Sequence, residues 1–396
     1  MGRRASLVVS VAVAGHTLWT SAAPALTYRL YAQQWHLSPT VTMGIFAVYP
    51  IAVVAMLVGF GGVSDQIGRR AAMLWGLCAS LGGAVLFGVA SNVGWVFMGR
   101  ILSGIGVGLS AGPSTAAILE FCADQDAKRA ASLTMTAQAG GFAAALLVGG
   151  ALTQYGPWPT RLCFWVLALL LLALITATSG LPRQVITPGK NLWRPKMPLI
   201  PRHLRGAFAT AGAAMMTAYT LGVLVLSLGA QVEHDLIGSS NALVNGAVLA
   251  VFPLVLASVG IVAKALASRI ALSVGAAASS LGMGLLALAV SRHDLIAYLA
   301  STAAAGAGYS LLFVGGLQLI NASVPQRHRG GVLSALYLLA YLSIAVVAVV
   351  LGVIATFRGL ALAVDLGAAA LTIMNFATFL LAIVARAKAP KTERTT

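Results

Sequence analysis

Charged residues are scarce in this chain. Of its 396 residues, 9% are Asp, Glu, Lys or Arg, whereas 59% are hydrophobic. Soluble globular proteins carry about 25% charged residues, which keep their surfaces hydrated. A chain with so little charge cannot cover a water-exposed surface. The composition therefore excludes a soluble globular protein and indicates that lipid surrounds most of the chain.

Acidic residues and cysteines are scarcer still. There are 9 Asp and Glu residues and 3 cysteines, and the cysteines match neither metal-ligand spacing nor a disulfide framework. An integral membrane enzyme needs acids, histidines or a metal set clustered near the membrane surface. Asp124 and Asp126 beside Glu120 form a cluster without histidine, which is typical of a solvated loop. We predict that the chain is not an enzyme and binds no cofactor or metal.

Long charge-free segments, by contrast, are abundant. A helix rises 1.5 Å per residue, so crossing a hydrocarbon core of about 30 Å takes about 20 residues. Twelve segments approach or exceed that length, and we number them spans 1 to 12: 5–28, 30–64, 71–99, 101–119, 130–160, 162–182, 206–232, 236–263, 270–291, 295–326, 330–357 and 366–385. The sequence therefore predicts an all-α integral membrane protein of about twelve transmembrane helices.

The few charges are distributed unevenly between the two sides of the membrane. With the amino terminus placed in the cytoplasm, twenty of the 25 basic residues fall on the cytoplasmic side. The outer side receives Arg29, Arg161, Arg292 and Arg358, and Arg100 falls within the membrane. This bias follows the positive-inside rule, and anionic lipid headgroups are its natural partners. We predict a multi-pass protein of the cell inner membrane with both termini in the cytoplasm.

One internal segment is typical of a linker. Residues 183–205 contain six basic residues, no acid and four prolines, and proline and clustered charge both disfavour a membrane helix. We therefore divide the chain into an amino-terminal six-helix half, 1–182, a basic cytoplasmic linker, 183–205, and a carboxy-terminal six-helix half with a short basic tail, 206–396. Equal halves indicate an ancient duplication and are common in secondary transporters.

Glycines mark span 4 and, more weakly, span 10. Gly104, Gly108 and Gly112 are spaced four residues apart and form a flat stripe on span 4, whereas span 10 carries Gly306 and Gly308. Such stripes allow the backbone of a neighbouring helix to approach closely. Static packing and a sliding interface both fit this feature.

The loop between spans 2 and 3 carries the most specific motif. It combines glycines with an aspartate and two arginines: Gly61, Ser64, Asp65, Gly68, Arg69 and Arg70. The loop resembles the signature of the major facilitator superfamily, from which Gln66 departs because a basic residue is usual there. The resemblance implies a twelve-helix fold in two halves and secondary active transport of a small solute by alternating access.

This loop also has physical properties that do not depend on the resemblance. Asp65 facing helix amino termini would stabilise their positive dipole ends, and Gly68 permits a tight turn. We expect Arg69 and Arg70 to lie beside anionic lipid and near Glu120 at the cytoplasmic end of span 4. The resemblance implies that the motif, together with Glu120, latches the two halves in the outward-facing state. A topology anchor is the alternative.

A second motif lies at the start of span 4. Arg100 is followed four residues later by Gly104, which resembles the fourth-helix motif of the superfamily with Ser103 in place of its usual glutamine. An arginine in lipid costs about 2.5–3.5 kcal/mol, so we expect Arg100 to face the bundle interior; snorkelling to the outer headgroups is the alternative. The chain most resembles the drug/proton antiporters, although Leu146 replaces the proline of their fifth-helix motif.

Polar and aromatic residues on spans 1, 4, 7 and 10 are the cavity candidates, because family geometry places these spans along the pathway. They are His16, Trp19, Arg100, Tyr219, Tyr309 and Gln318. Any single tyrosine is equally a membrane-interface residue. His16 and Asp365 are the candidate proton sites. The alternative for His16 is a hydrogen-bonded packing role, and the alternative for Asp365 is an ion pair with Arg358. A buried arginine and few acids favour a neutral, hydrophobic or anionic solute over a dication.

Two transport functions fit the sequence, because fold does not fix function. The first is efflux of hydrophobic or amphipathic compounds, including drugs. The second is uptake of a metabolite such as an organic acid or a sugar, and an integral membrane enzyme is a remote third. The expected partners are a small-molecule substrate, membrane lipids and, as a candidate co-substrate, protons. We expect a monomer that binds no nucleic acid.

Overall fold

The computed structural model describes residues 1–60, 64–182, 204–237, 241–325, 329–358 and 360–387. Over these ranges the chain is helical and contains no β-strand. The helices are α1 (Arg3–Ala22), α2 (Tyr28–Gln34), α3 (Pro39–Phe60), α4 (Ser64–Ile67), α5 (Arg69–Gly88), α6 (Val93–Phe121), α7 (Ala127–Tyr155), α8 (Leu162–Ser179), α9 (Arg205–Ile237), α10 (Ala242–Ala263), α11 (Ser268–Arg292), α12 (Leu295–Ser323), α13 (Arg329–Arg358) and α14 (Leu360–Ala387).

The long helices correspond in order to the predicted spans. Spans 1 and 2 are α1 and α3, and spans 3 to 12 are α5 to α14. Among the described residues, 11 helices are long and apolar enough to cross a membrane, and α3 contributes the further apolar segment Gly44–Phe60. The prediction of an all-α, multi-pass membrane protein is confirmed.

Polar caps define where several of these helices begin. The side chains of Asn92, Asp126, Asn241 and Asp294 accept hydrogen bonds from backbone N–H groups in the first turns of α6, α7, α10 and α12. These caps satisfy donors that a helix cannot satisfy itself and that are costly to leave unpaired near lipid. Two of the few acids are therefore used at helix ends.

Contacts between connecting segments define the two ends of the helix bundle. At one end, Arg3 Nε donates to the carbonyl of Phe121, the last residue of α6, at 3.1 Å. At the other end, Arg161 donates to the carbonyl of Ala90 between α5 and α6 at 3.2 Å. Following the charge distribution, we call the first the inner end and the second the outer end.

The two halves repeat the same close helix contacts. A Cβ placed on Gly104 of α6 would lie 2.6 Å from the carbonyl oxygen of Tyr49 in α3. A Cβ on Gly306 of α12 would lie 2.9 Å from the carbonyl oxygen of Phe252 in α10. In each half, glycine therefore lets the fourth long helix touch the second, and a larger residue would force them apart.

A second repeated contact joins the third and fourth long helices of each half. A Cβ on Gly106 would lie 2.1 Å from Ser80 Oγ in α5, and one on Gly308 would lie 2.5 Å from the backbone nitrogen of Ser279 in α11. Gly308 follows Gly106 by 202 positions, the same offset that separates Gly306 from Gly104. Equivalent helices therefore touch at equivalent residues, which supports a duplicated unit.

A repeated tetrapeptide is a further signal of this duplication, in addition to the loops and glycines considered above. Residues 47–50 read Ala-Val-Tyr-Pro and residues 250–253 read Ala-Val-Phe-Pro. Both prolines lie inside helices, α3 and α10, which are the second long helices of their halves. The exact limits of the halves stay predictions, because residues 183–203 of the linker lie outside the described residues.

The helix order predicts which loops are labelled from outside. In a variant without native cysteines, Ser91→Cys at the exposed outer end should react with a membrane-impermeant maleimide in intact cells. Gln125→Cys, exposed between α6 and α7 at the inner end, should react only after permeabilisation. The reverse pattern, or labelling of both positions in intact cells, would contradict this topology.

Candidate functional site

Five buried tyrosines meet near the middle of the bundle. Tyr49 lies on α3, Tyr219 on α9, Tyr309 on α12, and Tyr337 and Tyr341 on α13. Each is 6% exposed or less. One ring comes from the amino-terminal half and four come from the carboxy-terminal half. We call these five residues the tyrosine cluster.

Tyr219 is at the centre of the tyrosine cluster. Its ring centroid lies 5.4 Å from that of Tyr341, 5.8 Å from that of Tyr309 and 6.4 Å from that of Tyr337. The ring of Tyr341 in turn meets that of Tyr49 edge-on at 6.3 Å. Rings separated by about 4.5–7 Å attract one another in such geometries. The result is a continuous aromatic surface that crosses from one half of the protein to the other.

Hydrogen bonds at Tyr337 also cross between the halves. Its hydroxyl lies 3.0 Å from Thr115 Oγ1 of α6 and accepts a bond from Gln138 Nε2 of α7 at 3.4 Å. The Gln138 Oε1 atom is buried and has no hydrogen-bond partner among the described residues. The Tyr49 hydroxyl is buried too, with Ser21 and Tyr341 as its polar neighbours. Buried polar atoms are normally paired, so Gln138 retains bonding capacity beside the aromatic surface.

Arg100 borders the tyrosine cluster. It is 1% exposed, and its guanidinium carbon lies 4.6 Å from the ring centroid of Tyr49 and 5.7 Å from that of Tyr28. Its Nη1 atom donates to the carbonyl of Ser21 in α1 at 3.1 Å, and Nε donates to that of Ile45 in α3 at 3.5 Å. Backbone carbonyls and aromatic faces offset part of the cost of burying this charge. The side chain lies in the protein interior and is not extended toward the outer surface.

The glycine stripe of α6 places Tyr49 beside Arg100. Gly104 lies against the backbone of Tyr49, and a Cβ on Gly108 would lie 2.8 Å from the Cβ of Met56, two turns further along α3. Because both glycines face α3, the two helices approach closely along this stretch. The packing partner of the stripe is therefore α3; whether the contact slides during transport stays open.

A charge cluster occupies the inner end. Arg69 Nη1 donates to the carbonyl of Ala116 at 2.9 Å and forms an ion pair with Glu120. Arg329, the first residue of α13, belongs to the other half and is 7% exposed. Burial and the neighbouring Arg69 lower the pKa of the Arg329 guanidinium, and Glu120 opposes that effect. Charges of both halves therefore act on one another at this end.

The other residues of the loop motif surround this cluster. Gly68 has a φ of 87° and immediately precedes α5, so the turn uses a conformation that glycine adopts readily. Arg70 donates to the carbonyl of Leu181 at 3.1 Å, which ties the loop to the end of α8. The short helix α4 contains Asp65 and contacts α13. Gly61 and the side chain of Asp65 lie outside what the structure describes.

His16 lies inside the amino-terminal half. It is 1% exposed, its Nδ1 atom is bonded to the carbonyl of Val13, and its Nε2 atom lies 3.5 Å from Ser80 Oγ of α5. Both ring nitrogens therefore have protein partners, an arrangement typical of a packing histidine. The role of His16 as a proton site stays a prediction.

The remaining candidates are placed apart from one another. Trp19 is partly buried and packs against the apolar core of each half. Gln318 accepts from Ser268 Oγ at 3.2 Å and donates to a carbonyl at the end of α10, so it joins three helices at the inner end. Asp365 is exposed on α14, whereas Arg358 ends α13. Within the described residues these two form no ion pair, so the predicted pairing is not seen.

Sequence reasoning found two members of the tyrosine cluster and missed three. Tyr219 and Tyr309 lie on spans 7 and 10, which family geometry singled out. Tyr49, Tyr337 and Tyr341 lie on spans 2 and 11, where single-sequence patterns do not separate inward-facing tyrosines from those at the membrane interface. The Tyr-Pro pair of the repeated segment was the one local signal that marked Tyr49.

The family follows from a match over most of the chain. A family model described as Major Facilitator Superfamily matches residues 8–346. The chain belongs to the major facilitator superfamily. Members of this superfamily are membrane transporters, so the match favours transport over catalysis. Groups of three or more His, Cys, Asp or Glu able to hold a metal are absent from the described residues.

Two curated proteins match parts of the chain. Puromycin resistance protein pur8 of Streptomyces alboniger is 29% identical over 150 residues, which cover 37% of this chain and 29% of that protein. Sugar transport protein 1 of Arabidopsis thaliana is 38% identical over 73 residues, which cover 18% of this chain and 14% of that protein. The chain thus matches less than a third of the length of either relative.

Solved structures agree on the fold over nearly the whole chain. The human organic anion transporter MFSD10 (TETRAN) superposes with a TM-score of 0.75 at 14% identity, covering 96% of this chain and 100% of that one. The proton:xylose symporter XylE bound to 6-bromo-6-deoxy-D-glucose superposes with a TM-score of 0.74 at 15% identity, covering 100% of this chain and 97% of that one. At these identities the likeness shows the transporter fold, not the substrate.

The position of Arg100 yields a first test of the site. Arg100→Ala should abolish transport, because it removes the charge and both bonds to α1 and α3. Arg100→Lys should lose most transport as well, because an ammonium cannot reproduce the planar fork that reaches two carbonyls and lies over two rings. Substrate flux normalised to protein in the membrane is the measurement. Full activity of the lysine variant would contradict a role that depends on the guanidinium.

Proposed function

We propose that this chain exports hydrophobic or amphipathic small molecules across the cell inner membrane by alternating access, as a monomeric antiporter with both termini in the cytoplasm. The observation that carries the proposal is the tyrosine cluster, a buried aromatic surface built by both halves. Family geometry places the solute between the halves, and there the described side chains present aromatic faces with few polar atoms.

The chemistry of this surface suits apolar solutes. Rings bury large apolar areas and also accept the flat faces of aromatic ligands. Recognition of a sugar requires several buried donors and acceptors, whereas the tyrosine cluster offers phenolic hydroxyls, one of them already held by Thr115 and Gln138. The partial similarity to a puromycin resistance protein also supports export of such a compound.

Uptake of a metabolite is the second candidate. It is favoured by the partial similarity to a plant sugar transport protein. The two functions differ in the direction of net flux and in the substrate, and the same alternating-access fold serves both.

We further propose that Gly61, Asp65, Gly68, Arg69, Arg70 and Glu120 form a latch at the inner end that holds the halves together in the outward-facing state. The ion pair between Arg69 and Glu120, the proximity of Arg329 and the contact between α4 and α13 support this role. A latch must be weak enough to open, and a partly exposed Glu120 fits that requirement better than a fully buried pair would.

Protons are the candidate co-substrate of the exchange. Each acid within the described residues lies at or near a helix end, so a titrating carboxylate in the membrane interior is lacking there. His16 is the remaining interior candidate. Protonation of His16 at Nε2 would keep the bond from Nδ1 to the Val13 carbonyl and would make the ring a donor toward Ser80 Oγ, so the Ser80 hydroxyl would have to turn.

The proposed direction of transport can be tested in everted membrane vesicles. Hydrophobic dyes that carry no positive charge should accumulate in vesicles that contain the protein, and a proton gradient should increase the accumulation if protons are exchanged. Tyr219→Leu should lower it about tenfold at normal abundance, because the central ring of the aromatic surface is lost. Net movement of sugars or organic acids alone, into right-side-out vesicles, would favour the uptake permease.

The latch can be tested at Asp65. Asp65→Asn should lower transport strongly and leave abundance near normal, because losing a charge at a helix terminus shifts the balance of conformations without disturbing the core. Asp124→Asn, at an exposed position of the same end, serves as the matched control and should transport normally. Normal flux in Asp65→Asn would contradict the latch and favour the alternative, in which the loop is a topology anchor.

A further inference from the structure

Arg100 is a buried cation without an anionic protein partner. Among the described residues the ion pair that forms is at the inner end, between Arg69 and Glu120, and none involves Arg100. Asp126 and Asp294 are used as caps at the starts of α7 and α12. A buried charge left without a counter-charge favours the binding of an opposite one.

The guanidinium also has unused hydrogen-bonding capacity. Nε and Nη1 donate to the carbonyls of Ile45 and Ser21, and Nη2 makes no hydrogen bond within the described part of the chain. An arginine carries five N–H donors in a fixed planar fork, which suits the two oxygens of a carboxylate or sulfonate. The ring that the guanidinium covers is that of Tyr49, whose buried hydroxyl is a further polar group at this place and has Ser21 and Tyr341 as neighbours.

The aromatic surface begins directly beside the guanidinium of Arg100. Arg100 lies over Tyr49, the ring of Tyr49 meets that of Tyr341, and Tyr341 meets Tyr219. A molecule between the halves would thus find a cationic group at one end and stacked rings at the other. Such an arrangement matches an amphipathic ligand with an acidic head and a flat apolar body.

We propose that the solute is an aromatic monoanion, whose acidic group binds Arg100 and the Tyr49 hydroxyl and whose rings pack in the tyrosine cluster. The inference rests on the proposed function and narrows its substrate class. A single arginine compensates one negative charge, so a dianion would carry an uncompensated charge into the interior. A cation would be repelled by Arg100, and the face of Tyr49 that could attract it is already covered.

Three naphthalene derivatives of nearly the same size and shape test how the charge of the ligand affects its binding. They are 2-naphthoate, which is anionic at pH 7, its neutral amide 2-naphthamide, and cationic 2-naphthylmethylamine. Binding of each tritiated compound to the purified, full-length protein in nanodiscs gives affinities, and proteoliposomes give flux. We expect 2-naphthoate to bind at least tenfold more tightly than the amide, and the cation to bind most weakly.

Variants test whether Arg100 causes the preference for the anion and whether Tyr219 contributes to the binding of both ligands. Arg100→Gln should bring 2-naphthoate down to the affinity of the amide, which this variant should still bind through the rings, while Arg100→Lys should keep a reduced preference for the anion because the charge remains. Tyr219→Leu should weaken both ligands. Arg292→Gln, an exposed arginine at the outer end, is the matched control and should bind like the parent. Amide binding by Arg100→Gln also shows that this variant is folded.

Equal affinity for the anion and the amide, stronger binding of the cation, an unchanged preference in Arg100→Gln, or no binding of any of the three would overturn the inference. Failure of the proposed function gives a different result: 2-naphthoate would bind with dependence on Arg100, but proteoliposomes would show no net export of it under any imposed gradient.

Discussion

Close approach of helix backbones is the constraint on which the rest of this structure depends. Lipid tails are as apolar as leucine, so helices in a membrane gain little by hiding apolar faces from lipid and associate through tight contacts between small residues. Gly104 and Gly306 supply such contacts at equivalent places in the two halves. Because Gly104 touches the backbone of Tyr49, the same contact fixes the first ring of the tyrosine cluster. Packing and the candidate site therefore share their residues.

The placement of charge follows from the same solvent. A charge in the membrane interior is expensive, and several acids are used at helix ends: Asp126 and Asp294 cap backbone donors, and Glu120 pairs with Arg69. Arg100 is the exception, held by two carbonyls and two aromatic rings. A protein that keeps one unpaired charge inside a low-dielectric bundle creates a strong local field, since little solvent screens it there. The tyrosine cluster lies within reach of that field.

Much of the fold was predictable from the sequence, because helix length and charge placement are local properties. The spans, their order and the interior position of Arg100 follow from counting residues and weighing the cost of charge in lipid. The site was only partly predictable. Tyr337 and Tyr341 face the centre because α13 packs against α3 and α9, and no periodic pattern along a helix that is hydrophobic all round reveals which side faces a partner. The close contact of His16 with α5 was hidden for the same reason.

The repeated helix contacts also show where the two halves have diverged. The offset of 202 positions that relates Gly104 to Gly306 relates Arg100 to Thr302. Thr302 is buried and bonds its own helix at Tyr298, so the carboxy-terminal half is neutral where its counterpart is charged. The two halves therefore share equivalent helix contacts but differ in charge at this position. The aromatic monoanion proposed above would therefore lie between a half that carries the charge and a half that supplies most of the rings, and this asymmetry would fix its orientation from whichever side of the membrane it entered.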